Sequence, residues 1–110
     1  MTKSFIKVHA LLDYIHENYA SKITSADIEQ EFDCNYDYIN RVFSKLTGYS
    51  IMRYVNLVRI SHAKELIEAT HLSFSEIGYL TGLDDPYYFS KVFKKYVGIP
   101  PTEYYKRIRE

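Results

Sequence analysis

The chain has few of the residues that cross-link a polypeptide, interrupt it or insert it into a membrane. A single cysteine, Cys34, excludes an internal disulfide and a metal site with several cysteine ligands, and it is typical of a reducing compartment. Tryptophan is absent, and only four glycines and three prolines occur among 110 residues. No apolar run approaches the ~20 residues that span a bilayer, and the first residues lack the apolar stretch of an export signal. These shortages indicate a small cytoplasmic domain without a membrane segment.

What is present is the composition of a folded domain with balanced charge. Apolar residues make up 46% of the chain and charged residues 25%, which is typical of a globular protein. Lysine plus arginine equals aspartate plus glutamate, at 14 each, so no overall basic charge would attract a polyanion. The charge is unevenly placed, because residues 23–50 hold five acids and two bases whereas residues 73–110 hold six bases and five acids. Contacts to phosphate would therefore depend on locally placed cations.

Apolar residues recur with a period near 3.6, which predicts an all-α fold of seven helices. Capping boxes are expected at Thr24 with Asp27 and at Ser73 with Glu76. Further N-caps are expected at Asn35, Ser50 and Asp85, and helix ends at the glycines 48, 82 and 98. The predicted helices cover roughly 4–19, 25–32, 36–46, 51–69, 74–81, 86–96 and a short segment after Pro100-Pro101.

The two halves of the chain repeat one another. A shift of 50 residues places Arg41–Gly48 on Lys91–Gly98 and matches Tyr38 with Tyr88. Upstream, Thr24–Ile28 matches Ser73–Ile77 at a shift of 49. The unit that repeats is a short helix, a tight turn and a second helix.

The helix over 51–69 joins the two copies, and its apolar side changes halfway along. Two groups of apolar residues lie on faces rotated by roughly 130° from each other: Ile51, Tyr54, Val55 and Val58, then Ile60, Ala63, Leu66 and Ile67. We therefore expect a first lobe at 1–50, a linker helix at 51–70 and a second lobe at 71–110, with two separate cores. Leu46 and Phe93 are expected inside these cores, where replacement by alanine would cost about 2–5 kcal/mol.

The outward side of the second helix in each copy carries hydrogen-bonding and cationic groups. In the first copy these are Asp37, Asn40, Arg41 and Ser44, with Lys45 at the margin. In the second copy they are Tyr87, Ser90, Lys91 and Lys94, with Lys95 at the margin. An α-helix fits the major groove of DNA, where Arg or Lys donates to guanine and Asn pairs with adenine. The linker would span roughly 28–30 Å, near the ~34 Å that separates successive major grooves.

These motifs resemble the DNA-binding domain of the AraC/XylS family. The resemblance lies in Tyr38–Gly48, Gly82–Lys95 and Gly98–Tyr104, and it extends over essentially the whole chain. It implies a bacterial transcription regulator with two homeodomain-like helix-turn-helix lobes whose second helices enter successive major grooves. By position, it implies that the base-facing residues are Asp37, Asn40, Arg41, Pro86, Tyr87, Ser90 and Lys91. RNA polymerase and a sensory or receiver domain in the full-length chain are the implied protein partners.

The sequence departs from that family at one helix position and one turn position, and it leaves other function classes open. Glu29 stands where the family often has alanine, and Asp33 stands where a glycine-like residue is usual. The alternatives are a helical module that docks to polymerase or to a sensor domain, and a small enzyme. No serine–histidine–acid or paired-carboxylate spacing favours an enzyme. The four histidines form no i,i+4 pair, so no metal or other cofactor is expected.

Overall fold

The computed structural model describes residues 3–109 and is helical throughout, with no strand in that range. It contains seven α-helices, which begin and end within about two residues of the predicted bounds and confirm the all-α fold. The helices are α1 (Lys3–Asn18), α2 (Ser25–Phe32), α3 (Tyr36–Thr47), α4 (Ile51–Ala69), α5 (Phe74–Thr81), α6 (Pro86–Val97) and α7 (Pro101–Ile108).

The predicted caps are formed as hydrogen bonds. The Thr24 hydroxyl accepts from the backbone N–H of Asp27 at 3.1 Å, and the Asp27 carboxylate accepts from the Thr24 N–H at 2.9 Å. The bond from the Thr24 N–H holds the pKa of the Asp27 carboxyl below its ordinary value. Ser73 accepts from the Glu76 N–H at 3.1 Å in the second copy. Both helix-turn-helix motifs thus begin with a capped short helix.

The chain divides into two compact units, Met1–Val55 and Asn56–Glu110, and the boundary falls inside α4. Each unit buries its own part of α4. In the first unit Ile51 and Val55 are buried. The second unit has a core to which α4, α5 and α6 contribute, made of Ile60, Ala63, Ile67, Ile77, Leu83, Phe89, Val92 and Phe93.

The same aromatic pair is found in both units. The Tyr54 ring lies edge-on to Phe43, with ring centroids 5.6 Å apart. The Tyr104 ring lies edge-on to Phe93 at the same separation of 5.6 Å. Phe43 and Phe93 are fully buried. Each pair therefore fixes the helix that carries its tyrosine, α4 or α7, onto the core of its unit.

The hydroxyl groups of these tyrosines are also held. Tyr54 Oη is 2.8 Å from Nε2 of His16 in α1. Tyr104 Oη donates to the carboxylate of Glu68 in α4, and this bond raises the pKa of Tyr104 to about 12. The hydroxyl partner of Tyr54 thus comes from α1 in the first unit, and the hydroxyl partner of Tyr104 comes from the second half of α4 in the second unit.

One apolar position differs from the prediction. Leu46 is 51% exposed, whereas Ile39 and Phe43 in the same helix are fully buried, so the prediction that Leu46 lies in a core is wrong. Leu46 lies in the last turn of α3, two residues before the C-cap Gly48, and at this helix end about half of its side chain is left open to solvent.

Candidate nucleic-acid interface

The start of α3 is held by two acceptor side chains. Asn35 Oδ1 accepts from the backbone N–H of Tyr38 at 3.1 Å, as the N-cap prediction requires. Glu29 Oε2 accepts from the backbone N–H of Tyr36 at 2.7 Å. Two of the N–H groups at this helix end, which a phosphate would otherwise meet, therefore have acceptors within the protein.

The role of Glu29 was not anticipated from the sequence. The sequence shows only that Glu29 differs from its counterpart in the repeat, which is Gly78 at the shift of 49. A glycine offers no side chain, so the second unit has no equivalent of this carboxylate.

The turn before α3 is also fixed from α1. Asp33 ends α2 in the left-handed conformation, with φ of 48°, which a short polar side chain tolerates better than most. Lys7 Nζ donates to the Asp33 carbonyl oxygen at 3.2 Å. The turn thus keeps its shape with an aspartate in place of the usual glycine.

The open side of α3 presents three charged residues. Asp37, Arg41 and Lys45 are exposed, and Ser44 is half-buried beside them. The Arg41 guanidinium carbon lies 6.0 Å from the centroid of the Tyr38 ring. Tyr38 is in turn hydrogen-bonded through its hydroxyl to Ser4 of α1. The arginine therefore extends from beside a ring whose own position is fixed.

Asn40, which is expected to read a base, has a hydrogen-bond partner within the protein. Its side chain is half-buried, and its Oδ1 accepts from the backbone N–H of Ile51, the first residue of α4, at 2.8 Å. The amide oxygen that adenine recognition needs is thus already bonded within the first unit.

The start of α6 is capped by one residue that holds two N–H groups. Asp85 Oδ1 accepts from the N–H groups of Tyr87 at 2.9 Å and Tyr88 at 3.2 Å. Pro86 occupies the first turn, where no N–H is needed. Tyr87 is 88% exposed, whereas the hydroxyl of Tyr88 accepts from Asn56 Nδ2 of α4 at 3.3 Å. The Tyr87 ring therefore projects from a rigidly capped helix end.

The open side of α6 is cationic. Ser90 and the lysines at 91, 94 and 95 are all exposed. The opposite side of the helix buries Phe89, Val92 and Phe93. The predicted residues of α3 and α6 thus lie on the open sides of these helices, where Asn40 and Ser44 are half-buried and the others are exposed.

Residues 3–109 show no group of three histidine, cysteine, aspartate or glutamate side chains that could hold a metal ion. Over the same range, every helix is too short or too polar to cross a membrane. The three charged residues of α3 and the four polar residues of α6 remain the groups that define the site.

Comparisons with known proteins bear on the family and the fold. Residues 28–107 match the model of a helix-turn-helix domain family. The uncharacterized HTH-type transcriptional regulator YisR of Bacillus subtilis is 37% identical over 93 residues, which cover 84% of this chain and 32% of that relative. The chain thus spans about a third of the length of this curated relative.

Two solved structures have closely similar folds. The C-terminal domain of AraT, a response regulator from Geobacillus stearothermophilus, superimposes with a TM-score of 0.88 at 26% identity, covering 92% of this chain and 84% of that one. The DNA-binding domain of AdpA, a global transcriptional factor in complex with a target DNA, gives 0.86 at 19% identity, covering 93% and 92%.

Fold and site together define a helix-turn-helix protein with two copies of the motif. The chain belongs to the AraC-type family of helix-turn-helix transcription regulators, which confirms the resemblance seen in the sequence. Family and fold are those of regulators that bind DNA and not those of enzymes.

Proposed function

We propose that this chain is the sequence-specific, double-stranded DNA-binding domain of a bacterial transcription regulator. The observation that carries the proposal is that each unit presents one twelve-residue helix, α3 or α6, with a fixed buried side and an open polar side. Both helices have the diameter that the major groove accepts. The DNA-binding domain of AdpA has the same fold, and its structure was solved in complex with a target DNA, which supports the same function for this chain.

The two helices that would enter the major groove, α3 and α6, are called the reading helices here, and they are proposed to contribute differently to DNA binding. On α3, Arg41 offers a planar fork of donors for a guanine edge, and Asp37 can accept from cytosine N4. On α6, Lys91, Lys94 and Lys95 are flexible point charges that suit phosphate oxygens. Since residues 23–50 carry a net negative charge, most of the electrostatic attraction is assigned to α6.

The two helices are proposed to occupy successive major grooves. The nineteen residues of α4 correspond to about 28 Å of helix, close to the ~34 Å between successive grooves on one side of the duplex. Footprinting with the monomeric chain tests this proposal. Two protected base clusters about one helical turn apart are expected, and one cluster per monomer would contradict simultaneous binding.

Binding itself is tested by titrating a duplex selected from a random pool, at several salt concentrations. The affinity should fall steeply with salt, because lysines and arginines that contact phosphates release counterions. A protein-docking module, the alternative function, would show little duplex binding and a shallow dependence on salt. A scrambled duplex of equal length serves as the control for sequence preference.

For the complete protein, we propose a cytoplasmic location, contact with RNA polymerase and a sensory or receiver domain. The similarity to the C-terminal domain of a response regulator supports the last of these. In vitro transcription with and without the full-length protein tests the polymerase contact. A promoter whose output does not change on binding would contradict it.

A further inference from the structure

The hydrogen bond between Asn40 and Ile51 joins the reading helix of the first unit to the start of the next helix. Ile51 is the first residue of α4, and its side chain is fully buried. Its N–H is among the four at a helix start that have no acceptor within the helix. Asn40 Oδ1 supplies that acceptor at 2.8 Å. The contact therefore satisfies a backbone group next to the core of the first unit.

The chemistry of the contact fixes the orientation of the Asn40 amide. Rotating the amide by half a turn would bring its NH2 group against the Ile51 N–H, and two donors would then face each other. With Oδ1 directed at Ile51, the NH2 group and the second lone pair of Oδ1 are left for another partner. A bidentate contact with adenine needs both the oxygen and the nitrogen of the amide, so Oδ1 would have to accept from Ile51 and from adenine at once, in the orientation that the Ile51 bond already fixes.

The second unit provides a natural comparison. Ser90 occupies the position of Asn40 at the shift of 50, and Pro101 occupies the position of Ile51. Proline has no backbone N–H, so no acceptor is required there, and Ser90 is exposed. The asparagine thus occurs in the copy whose next helix begins with an N–H to satisfy, and it is absent from the other copy.

We infer that Asn40 is a positioning residue, which reads no base itself and holds α3 on the start of α4 so that Arg41 is presented at a fixed place. This inference rests on the proposed function for its consequence in DNA binding. It assigns the base preference of the first unit to Arg41 and Asp37, and it reverses the expectation that Asn40 recognises adenine.

The contact itself is tested without DNA, by amide hydrogen exchange of Ile51 measured by NMR. Asn40→Ala removes the acceptor and should speed the exchange of the Ile51 amide by about fivefold or more. Asn40→Asp keeps an acceptor at the positive end of α4 and should leave the Ile51 amide protected. Ser90→Ala in the second unit is the matched control and should leave the exchange rate of the Ile51 amide unchanged. An Ile51 amide that exchanges equally in wild type and Asn40→Ala would overturn the inference.

The consequence for recognition is tested by replacing each base pair of the preferred duplex in turn. Asn40→Ala should lower the discrimination at the positions that also depend on Arg41, with no A·T position affected alone. Asn40→Asp should keep the wild-type pattern of preference while binding all duplexes more weakly, since it adds a negative charge. Loss of preference at one adenine in both variants, with the Arg41 positions unchanged, would show a base-reading residue and overturn the inference.

The two experiments separate this inference from the function on which it rests. A wild-type chain with no preference among duplexes would contradict the proposed function, and with it the role of Asn40 in recognition. The Ile51 exchange rates would still decide whether Asn40 holds the start of α4. A normal preference pattern in Asn40→Ala combined with fast Ile51 exchange would confirm the contact and overturn its importance for Arg41.

Discussion

Gly78 and Leu83 approach each other so closely that only glycine fits at position 78. The Leu83 N–H donates to the Gly78 carbonyl oxygen at 2.7 Å, and a Cβ built on Gly78 would lie 2.4 Å from the Leu83 carbonyl oxygen. We expect Gly78→Ala to destabilise the protein by about 3 kcal/mol or more, because backbone rather than a flexible side chain must move. Urea unfolding measures the change.

Gly48→Ala is the matched control for that substitution. Gly48 has a φ of +84°, but no atom lies within 4 Å of a Cβ built there. It should cost only the ~1–2 kcal/mol of a left-handed alanine. Equal losses for the two variants would contradict a steric role for Gly78.

The two large apolar residues of α3 should differ sharply in their importance for stability. Phe43 is fully buried and packs on Tyr54, so Phe43→Ala should cost about 3–5 kcal/mol. Leu46 is 51% exposed, so Leu46→Ala should cost less than about 1 kcal/mol. Phe93→Ala, the equivalent of Phe43 in the second unit, should resemble Phe43→Ala. A loss for Leu46→Ala as large as that for Phe43→Ala would show that Leu46 is covered in solution.

Arg41 and Lys94 should affect DNA binding in different ways. Arg41→Ala should cost ~1–3 kcal/mol, mainly on the preferred duplex, and relax the preference at one position. Lys94→Ala should weaken binding to all duplexes alike and lower the slope of affinity against salt by about one. Titrations against preferred and scrambled duplexes at several salt concentrations measure both effects.

Lys95→Ala is the second test of the phosphate role and should behave like Lys94→Ala. The assignment would be wrong if Arg41→Ala weakened both duplexes equally while Lys94→Ala changed the sequence preference. Lys91 lies closer to the middle of the open side of α6, so its variant shows whether that helix also reads bases.

Tyr104 should make the second unit sensitive to alkali. The hydrogen bond to Glu68 raises the pKa of Tyr104 from 10.0 to about 12 in the folded protein. A raised pKa means that its contribution to stability is complete below pH 10 and is lost as the pH rises to about 12. Tyr104→Phe should therefore be less stable than wild type near neutral pH, and the difference should shrink over that alkaline range. Thermal unfolding at a series of pH values measures it.

Tyr54→Phe provides the comparison for the first unit. The pKa of Tyr54 is raised by burial, and its hydroxyl contacts the His16 ring and not a carboxylate. The difference in stability between Tyr54→Phe and wild type should therefore change less between pH 10 and about 12 than the difference for Tyr104→Phe. Identical pH profiles for the two variants would contradict the role of the Glu68 carboxylate.

Most of the helices of this protein follow from local signals that the sequence displays. Thr24, Asn35, Ser73 and Asp85 predict helix starts, and the hydrogen bonds at those residues confirm them. Such signals can be read because a cap involves residues two or three positions apart, and its geometry is the same in any fold. The repeat likewise predicted which helices carry the open polar sides.

Contacts between residues far apart in the chain were not predictable in this way. Leu46 has the apolar character and nearly the spacing of a core residue, but whether a neighbour covers it depends on where α3 ends relative to the rest of its unit. Glu29 and Asn40 are polar residues on helices, and the sequence marks neither as the partner of a distant backbone N–H. Their partners, Tyr36 and Ile51, lie 7 and 11 residues away.

The sequence alone therefore determined the number of helices, their order and ends, the repeat and the family, since each depends on short-range periodicity, capping and matched motifs. Only the tertiary structure decided which polar residues remain available to a ligand. On the open side of α3 it leaves Arg41 exposed and bonds the amide oxygen of Asn40 to Ile51. The physical reason is that a backbone donor at a buried helix start must find an acceptor, and the folded chain brings Asn40 to it.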